Sequence, residues 1–305
     1  MMRKPPLTSN TSLPGVQNHF EDFLGDHIQQ TNFTHFVGSF YPYHRLLVWT
    51  YERAILACGF TGGGQPYWDW SLDANTSSPA SSLAASPLFD PHTGFGGNGA
   101  YIPGNTGAPE PGIPVTGGGI TFELPDRSGG GCIPDGPFAN LTIHMGPGPS
   151  TAYNAWCVRR DFVPSQFVQA ANSEAVREAV DGGYKDFGAF SQGTEVTVHN
   201  AGHLGVGGLY GVLTDAWASP GDPLFFLHHA NMDRLWWSWQ TRDLPARLKD
   251  ISGPLIANDW ANEKGRNVTL DDTVHVGTTW NITRSIRDLM DIRRPTLGYV
   301  YETLY

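Results

Sequence analysis

Two groups of histidines restrict the fold of this chain more than any other sequence feature. Seven of the eleven histidines fall into groups that are far apart in the sequence, the first comprising His27, His35 and His44 and the second comprising His199, His203, His228 and His229. Imidazole donors without thiolate or carboxylate suit copper or zinc better than magnesium or calcium. The pattern therefore predicts two metal sites, each with at least three histidines.

The spacing within the second group carries further information. His199 and His203 are four residues apart, which on a helix places both imidazoles on one face, within reach of one ion. Asn200 follows His199, whereas an HExxH zinc protease needs a glutamate there as its base. The pattern therefore argues against a zinc protease. A third ligand can come from His228 or His229, and the spacing does not choose between them.

Hydrophobic periodicity predicts a mainly helical fold. Apolar residues recur at spacings of three and four over residues 16–30 and 38–58, and residues 173–180 also show a helical pattern that two glycines terminate. Residues 222–240 give the strongest helix pattern, because Asp222 can cap the first turn and Pro223 suits the first helical position. Residues 194–198 alternate like a short strand. No internal repeat is visible, so we expect one helical domain over residues 1–305.

Residues 91–150 depart from the helical pattern. They contain 16 Gly and 10 Pro, which predicts a long irregular excursion with few regular elements. Such a loop either forms a lid or wall of a site or is a tolerated insertion. Cys132 and Cys157 bracket the end of this excursion and are predicted to form a disulfide, which leaves Cys58 without a partner.

Charge and composition exclude several functional classes. The chain has 29 acidic and 19 basic side chains, a net charge of −10 and no basic run, so we expect no binding to nucleic acid or to a membrane. The first residues lack the apolar core of a signal peptide, and the sequence leaves open whether a preceding segment was removed. Six Asn-x-Ser/Thr sequons predict a secreted glycoprotein: Asn10, Asn32, Asn75, Asn140, Asn267 and Asn281.

The segments around the histidines resemble the copper signatures of fungal tyrosinases and catechol oxidases. His27 and His35 are followed by Phe-Tyr-Pro-Tyr-His-Arg at residues 40–45 and by Pro-Tyr-Trp-Asp-Trp at residues 66–70. A more specific match joins His-Asn-Ala-Gly-His at residues 199–203 to Asp-Pro-Leu-Phe-Phe-Leu-His-His-Ala-Asn-Met-Asp-Arg-Leu-Trp at residues 222–236. Tyr299 and Tyr301 resemble the Tyr-x-Tyr motif that closes the family's central domain, which implies a short form without a C-terminal shielding domain.

This resemblance implies a four-helix bundle that houses a dinuclear copper centre, with three histidines for each ion. Carried over to this sequence, it assigns His27, His35 and His44 to the first copper and His199, His203 and His229 to the second. His228 is kept as the alternative third ligand of the second copper. Asp233 is expected either to hold an imidazole or to pair with Arg45 or Arg234. Phe33 replaces a cysteine that many relatives cross-link to the second histidine, so packing alone is expected to hold His35.

The resemblance further implies an enzyme that oxidises o-diphenols to o-quinones with reduction of O2 to water, with some hydroxylation of monophenols. Small phenols and O2 are the expected partners, and the oligomeric state is left open. A hemocyanin-like oxygen carrier is the alternative function, although such units normally occur in tandem or with a shielding domain. A secreted binding protein with incidental histidines is a third hypothesis, and the match to both copper motifs argues against it.

Five further residues are expected near the coppers. Glu195 and Asn200 match the pair that in this family holds a water able to deprotonate monophenols. Phe225 is expected to stack on the substrate, with helix packing as the alternative role. Leu204 is apolar and is expected to favour uncharged phenols, while the small Ala216 is expected to leave the entrance to the first copper open.

Overall fold

The structure of the protein, a computed structural model, describes residues 1–103, 124, 126–277 and 280–305. In this part of the chain the fold is mainly helical, as predicted. The α-helices are α1 (His19–Thr34), α2 (Phe40–Ala57), α3 (Trp70–Asp73), α4 (Pro164–Ala171), α5 (Ser173–Asp181), α6 (Phe187–Thr194), α7 (Asn200–Gly207), α8 (Leu224–Thr241) and α9 (Ile286–Leu289). Two antiparallel hairpins pair β1 (Thr142–Ile143) with β2 (Trp156–Cys157) and β3 (Thr273–Val276) with β4 (Ile282–Ser285).

Local capping residues explain where the main helices begin. The Asn18 side chain accepts hydrogen bonds from the backbone N–H groups of Phe20 and Glu21, which satisfies donors that the first turn of α1 leaves free. At α8 the Asp222 carboxylate accepts the N–H of Leu224 at 3.0 Å, as the sequence predicts, although the helix begins just after Pro223 rather than at it. The three other predicted helices are also present, with ends shifted by a few residues.

The strand predicted over residues 194–198 is wrong. Residues Glu195–His199 form one π-helical turn that joins α6 to α7, so residues 187–207 make one continuous helical run. The hydroxyls of Thr194 and Thr197 each donate to the backbone carbonyl four residues earlier, at 2.7 Å, so both polar side chains are satisfied within the helix. Five alternating residues are too few to distinguish the two-residue period of a strand from the 3.6-residue period of a helix. Tertiary packing therefore decides that this segment is helical.

The hydrophobic core lies between the helices that carry the histidines. Aromatic rings fill it, and Tyr41 of α2 packs within 5.5 Å of Trp236 of α8. The close approach of α7 to α8 requires a glycine, because a Cβ on Gly202 would lie 2.3 Å from the His228 ring. The helical run then ends at Gly208, whose φ of 49° favours glycine and whose Cβ would collide with Asp161.

The described part of the Gly/Pro-rich excursion is packed against the helical core. Residues 104–123 and 125 of this excursion lie outside the described residues, and the remainder contains only the short strand β1. Ile143 and Met145 are buried in a second apolar cluster together with Leu24 and Ile28 of α1. The predicted disulfide is confirmed: Cys132 bonds to Cys157, and Cys58 is a free, half-buried thiol. The described excursion therefore forms a wall over α1.

Buried ion pairs fix the outer side of α8. Asp233 pairs with Arg45 of α2 and accepts the hydroxyls of Tyr299 and Tyr301, so the Tyr-x-Tyr motif closes over this helix. Arg234 pairs with Asp69 at 2.8 Å. No helix in the described ranges combines the length and the hydropathy of a membrane span.

Candidate metal centre

Four helical segments bring the six predicted ligands together. His27 lies on α1 and His35 directly follows it, while His44 lies on α2 and forms the first cluster with them. The second cluster consists of His199 at the end of the π-turn, His203 on α7, and His228 and His229 on α8. Within each cluster one ligand atom of every histidine lies within 4.8 Å of the others. The structure thus places each predicted ligand group around a common point.

The two clusters are also adjacent to each other. The rings of His44 and His229 stack, with centroids 4.2 Å apart and an interplanar angle of 18°. The rings of His35 and His199 lie 6.2 Å apart. Two ions bound at these clusters would therefore be neighbours.

Backbone carbonyls orient all three imidazoles of the first cluster. The Nδ1–H groups of His35 and His44 donate to the carbonyls of the residues four positions earlier, at 3.1 and 2.9 Å. His27 Nδ1 donates to the carbonyl of Trp217 at 2.7 Å, although the two residues are 190 positions apart in the sequence. Because a carbonyl only accepts, each ring carries its proton on Nδ1 and directs the Nε2 lone pair to the centre. The expectation that packing alone holds His35 is therefore wrong.

Only part of the second cluster is oriented in this way. His199 Nδ1 donates to the carbonyl of Glu195 at 3.1 Å, and His203 Nδ1 donates to the carbonyl of Leu213. His229 Nδ1 is buried and has no hydrogen-bond partner among the described residues. Its ring instead packs between those of His44 and Phe225, and its Nε2 lies 3.2 Å from Nε2 of His203.

The donor set fits a metal ion such as copper. The Nε2 atoms of His27, His44 and His199 are buried without a hydrogen-bond partner in the described part of the chain. Burial lowers the pKa of all six imidazoles, to about 4 for His35 and His203, so they are neutral at pH 7. Neutral imidazoles with free Nε2 lone pairs are ligands for a borderline transition metal, and an empty cluster would leave these atoms unsatisfied.

Comparison with known proteins places the chain in a family. Residues 17–242 match the model of the common central domain of tyrosinase. The chain belongs to the tyrosinase family. Tyrosinase P of Aspergillus terreus is 33% identical to it over 99% of this chain and 85% of its own. An N-acetyl-6-hydroxytryptophan oxidase of Emericella nidulans is 31% identical over 98% of this chain and 85% of its own.

A solved structure supports the same conclusion. The polyphenol oxidase of Thermothelomyces thermophila, in a mutant form, superposes with a TM-score of 0.80 and 32% identity, covering 99% of this chain and 82% of its own. Members of the tyrosinase family oxidise phenols with copper and O2, and the predicted family is therefore confirmed for this chain. The relatives include oxidases with different substrates, so the family alone does not define the phenol.

Hydrogen bonding within this tyrosinase-family centre distinguishes His229 from His228. The indole N–H of Trp70 donates to His228 Nδ1 at 3.0 Å, and an indole N–H cannot accept. Neutral His228 must therefore carry its proton on Nε2, which leaves that atom no lone pair for a metal. His228 also packs against the backbone at Gly202. The geometry favours His229 as the third ligand, with His228 tying α7 to Trp70.

Asp233 contacts Arg45 and the two tyrosine hydroxyls, so of its expected roles the ion pair with Arg45 is the one that the structure contains. The other candidate partner, Arg234, pairs with Asp69 instead. Arg45 lies on α2 and Asp233 on α8, so this ion pair joins the two helices. Asp233 therefore stabilises the helix pair beneath the ligands.

Glu195 and Asn200, at the start and just after the end of the π-turn, differ in exposure. Glu195 is buried, its Oε1 accepts the N–H of Phe36 at 2.7 Å, and its Oε2 has no partner in the described structure. Burial raises the pKa of Glu195 to about 8, while the Phe36 N–H acts against this shift. Phe36, the residue after His35, has a φ of 55°, an uncommon conformation for a bulky side chain. Asn200 is exposed.

The three expected substrate-contacting residues differ in exposure. Phe225 is fully buried, and its ring lies 4.1 Å from that of His229 and 5.1 Å from that of His27. Leu204 is half-buried, and Ala216 is exposed beside Trp217, whose carbonyl orients His27. Phe225 therefore packs in the helical core, which was the alternative to substrate stacking. Substrate contact by Phe225, Leu204 and Ala216 stays a prediction.

Sequence reasoning missed the carbonyls that orient the ligands. Those that hold His35, His44 and His199 lie four residues earlier on the same helix, so helical spacing could have revealed them. The carbonyls of Trp217 and Leu213 come from a non-helical segment, and no local signal marks them.

Proposed function

We propose that the protein oxidises o-diphenols to o-quinones at two copper ions, with O2 reduced to water. In the balanced reaction two catechols each lose two electrons and two protons, and one O2 becomes two waters. The observation that carries the proposal is the convergence of two groups of three neutral imidazoles in the tyrosinase fold. When bound, the copper pair would supply the binding of O2 and its reduction by the four electrons of two catechols.

The residues of the chain hold and enclose this centre. Five backbone carbonyls fix the imidazoles with Nε2 inward, so little reorganisation is needed when metal binds. Phe225 and Phe40 pack against the ligand rings and exclude water beneath them. His35 and His203 are half-buried, which favours substrate access from their side.

We further propose that Glu195 and Asn200 hold a water that takes the proton of a monophenol. Glu195 supports this role through its unpartnered, buried Oε2 beside the residue that follows His35. The polar side of Asn200 is exposed and free to reach a solvent molecule. The apolar Leu204, which offers a substrate carboxylate no partner, supports discrimination against carboxylated phenols, and the small, exposed Ala216 supports an open entrance.

Oxygen uptake by copper-loaded protein tests the proposal. We expect rapid uptake with a catechol, slower uptake with the matching monophenol, and quinone absorbance with both. Glu195→Gln and Asn200→Ala should reduce the monophenol rate more than the catechol rate, by about 10-fold or more for a lost base. Glu174→Gln, an exposed acid on α5, is the control. Reversible O2 binding without quinone would instead identify an oxygen carrier, and an equal loss on both substrates would assign Glu195 a structural role.

We also propose that the protein is secreted and N-glycosylated. All six sequon asparagines are exposed, so each is accessible to modification: Asn10, Asn32, Asn75, Asn140, Asn267 and Asn281. The disulfide supports an oxidising compartment. Expression through a secretory host, with and without glycosidase treatment, should give a mass loss, and an unchanged mass would argue against the proposal.

A further inference from the structure

A groove with a volume of about 810 Å³ lies along the helical run that carries His199 and His203. Its floor is the outer face of the 187–207 helical run, and its walls come from α4, α5 and the turn that contains Tyr184. Asn200 and Leu204, which directly follow His199 and His203, both line it. They are four residues apart on α7, so they share one face and span about 6 Å. The groove therefore starts at the residues next to two metal ligands.

We propose that this groove binds the side chain of a phenolic substrate whose ring is oxidised at the histidines, and that it selects amine-bearing phenols over carboxylate-bearing ones. The inference rests on the proposed function and specifies its substrate class. The groove lies within the range of small-molecule sites, roughly 300–1,000 Å³. It can therefore accept a substituent larger than the phenol ring itself.

The charge of the groove determines the selectivity. Among the described residues that line the groove, only Glu178 is charged. The other polar residues there include Gln166, Gln169 and Tyr184. The nearest cation on α5, Arg177, is exposed and directed to Glu174 at 3.9 Å. A substrate carboxylate entering the groove would meet a like charge, whereas an ammonium group would meet an opposite one.

The glutamines and Tyr184 add directional recognition. Gln166 and Gln169 lie on α4, opposite Glu178 of α5, so a substituent can accept from an amide on one wall and donate to a carboxylate on the other. Tyr184 lines the same groove, and burial together with the negative charge of Glu178 raises the pKa of its hydroxyl.

Three catechols separate the steps of this proposal: unsubstituted catechol, an aminoethyl derivative and a carboxyethyl derivative. We expect wild-type kcat/KM to be highest for the amine. Glu178→Gln should lower the amine-to-carboxylate ratio of kcat/KM by about 2- to 5-fold, as expected for one exposed charge pair. Glu178→Lys should invert the preference. Glu174→Gln, on the same helix but outside the groove, should leave the ratio unchanged.

Binding to metal-free protein provides a second readout. Saturation-transfer NMR should detect the aminoethyl derivative on wild-type protein and a weaker signal on Glu178→Gln, with circular dichroism confirming that both are folded. If catechols are oxidised but the ratio is the same in wild type and Glu178→Gln, the groove proposal is overturned and the proposed function stands. If no catechol is oxidised but amine binding depends on Glu178, the enzyme function fails and the groove remains a binding site.

Discussion

In the first histidine cluster each imidazole is held by a backbone carbonyl, whereas in the second cluster His229 Nδ1 has no hydrogen-bond partner among the described residues. His27, His35 and His44 all donate from Nδ1, with distances of 2.7 to 3.1 Å. His229 instead lies between the rings of His44 and Phe225, at 4.2 and 4.1 Å. The first site is therefore preorganised by directional bonds, and the second depends partly on packing.

The comparison shows how the two sites are linked. His44 belongs to the first cluster, yet its ring supports His229 of the second. A change in α2 therefore reaches both ions, whereas a change on α7 acts first on the second ion. The two clusters share one packed centre rather than forming independent sites.

Removal of one ligand from either cluster should have the largest effect. We expect His44→Ala and His203→Ala each to reduce catechol oxidation by roughly three orders of magnitude or more, because groups that act as a unit fail together. His44→Ala should also weaken copper binding at both sites, since it removes the ring that supports His229. Oxygen uptake and copper analysis on folded protein measure these effects. Wild-type turnover by folded His203→Ala would reject the assignment.

The neighbouring histidines of α8 should differ in copper content. We expect His229→Ala to lose about one copper per chain, because three imidazoles complete each site. His228→Ala should keep its copper and lose about 1–3 kcal/mol of unfolding free energy, because the Trp70 indole N–H is then left buried and unpaired. Metal analysis and chemical unfolding separate the two cases. The reverse pattern of copper loss would make His228 the ligand.

Acidification tests the buried imidazoles of both clusters together. Their folded pKa values lie below the unfolded value of 6.5, so below pH 6.5 the unfolded chain binds more protons than the metal-free folded protein. The free energy of unfolding should therefore fall as the pH decreases from about 6.5 towards 4, by up to about 1.4 kcal/mol per pH unit for each histidine. Glu195, whose folded pKa is raised, acts in the opposite sense but contributes one proton only.

Urea unfolding at several pH values measures this slope. His35→Gln should make it shallower than in wild type, since this imidazole no longer titrates. His92→Gln, at an exposed position, should retain the wild-type slope. A pH-independent free energy in the metal-free wild type would contradict buried neutral histidines.

Loss of the ring beside His229 should have the smallest effect. Phe225→Leu keeps an apolar side chain but removes the aromatic contact, with an expected cost of about 1 kcal/mol in stability. Phe225 also contacts His27, but a backbone carbonyl holds that ring, whereas His229 Nδ1 has no such bond. Copper at the second site should therefore weaken more than copper at the first. Stepwise copper titration distinguishes the sites. Equal weakening of both would show that Phe225 supports the two clusters alike.

The sequence by itself determined the elements whose signals are local. Helical periodicity and capping residues located α1, α2, α5 and α8, and the copper motifs supplied the six candidate ligands. The Cys132–Cys157 disulfide also followed from the positions of the cysteines. The helix predictions succeed because helix formation depends on residues a few positions apart.

Only the tertiary structure decided the features that depend on distant partners. Residues Glu195–His199 form a π-helical turn in place of the expected strand at residues 194–198, and Asp233 forms an ion pair with Arg45. The tertiary structure also placed the Trp217 carbonyl on His27 and the Trp70 indole on His228. Each of these contacts joins residues far apart in the chain, where sequence spacing carries no information about distance. Contacts between distant segments therefore set the orientation of His27 and His228, whereas carbonyls four residues earlier orient His35, His44 and His199.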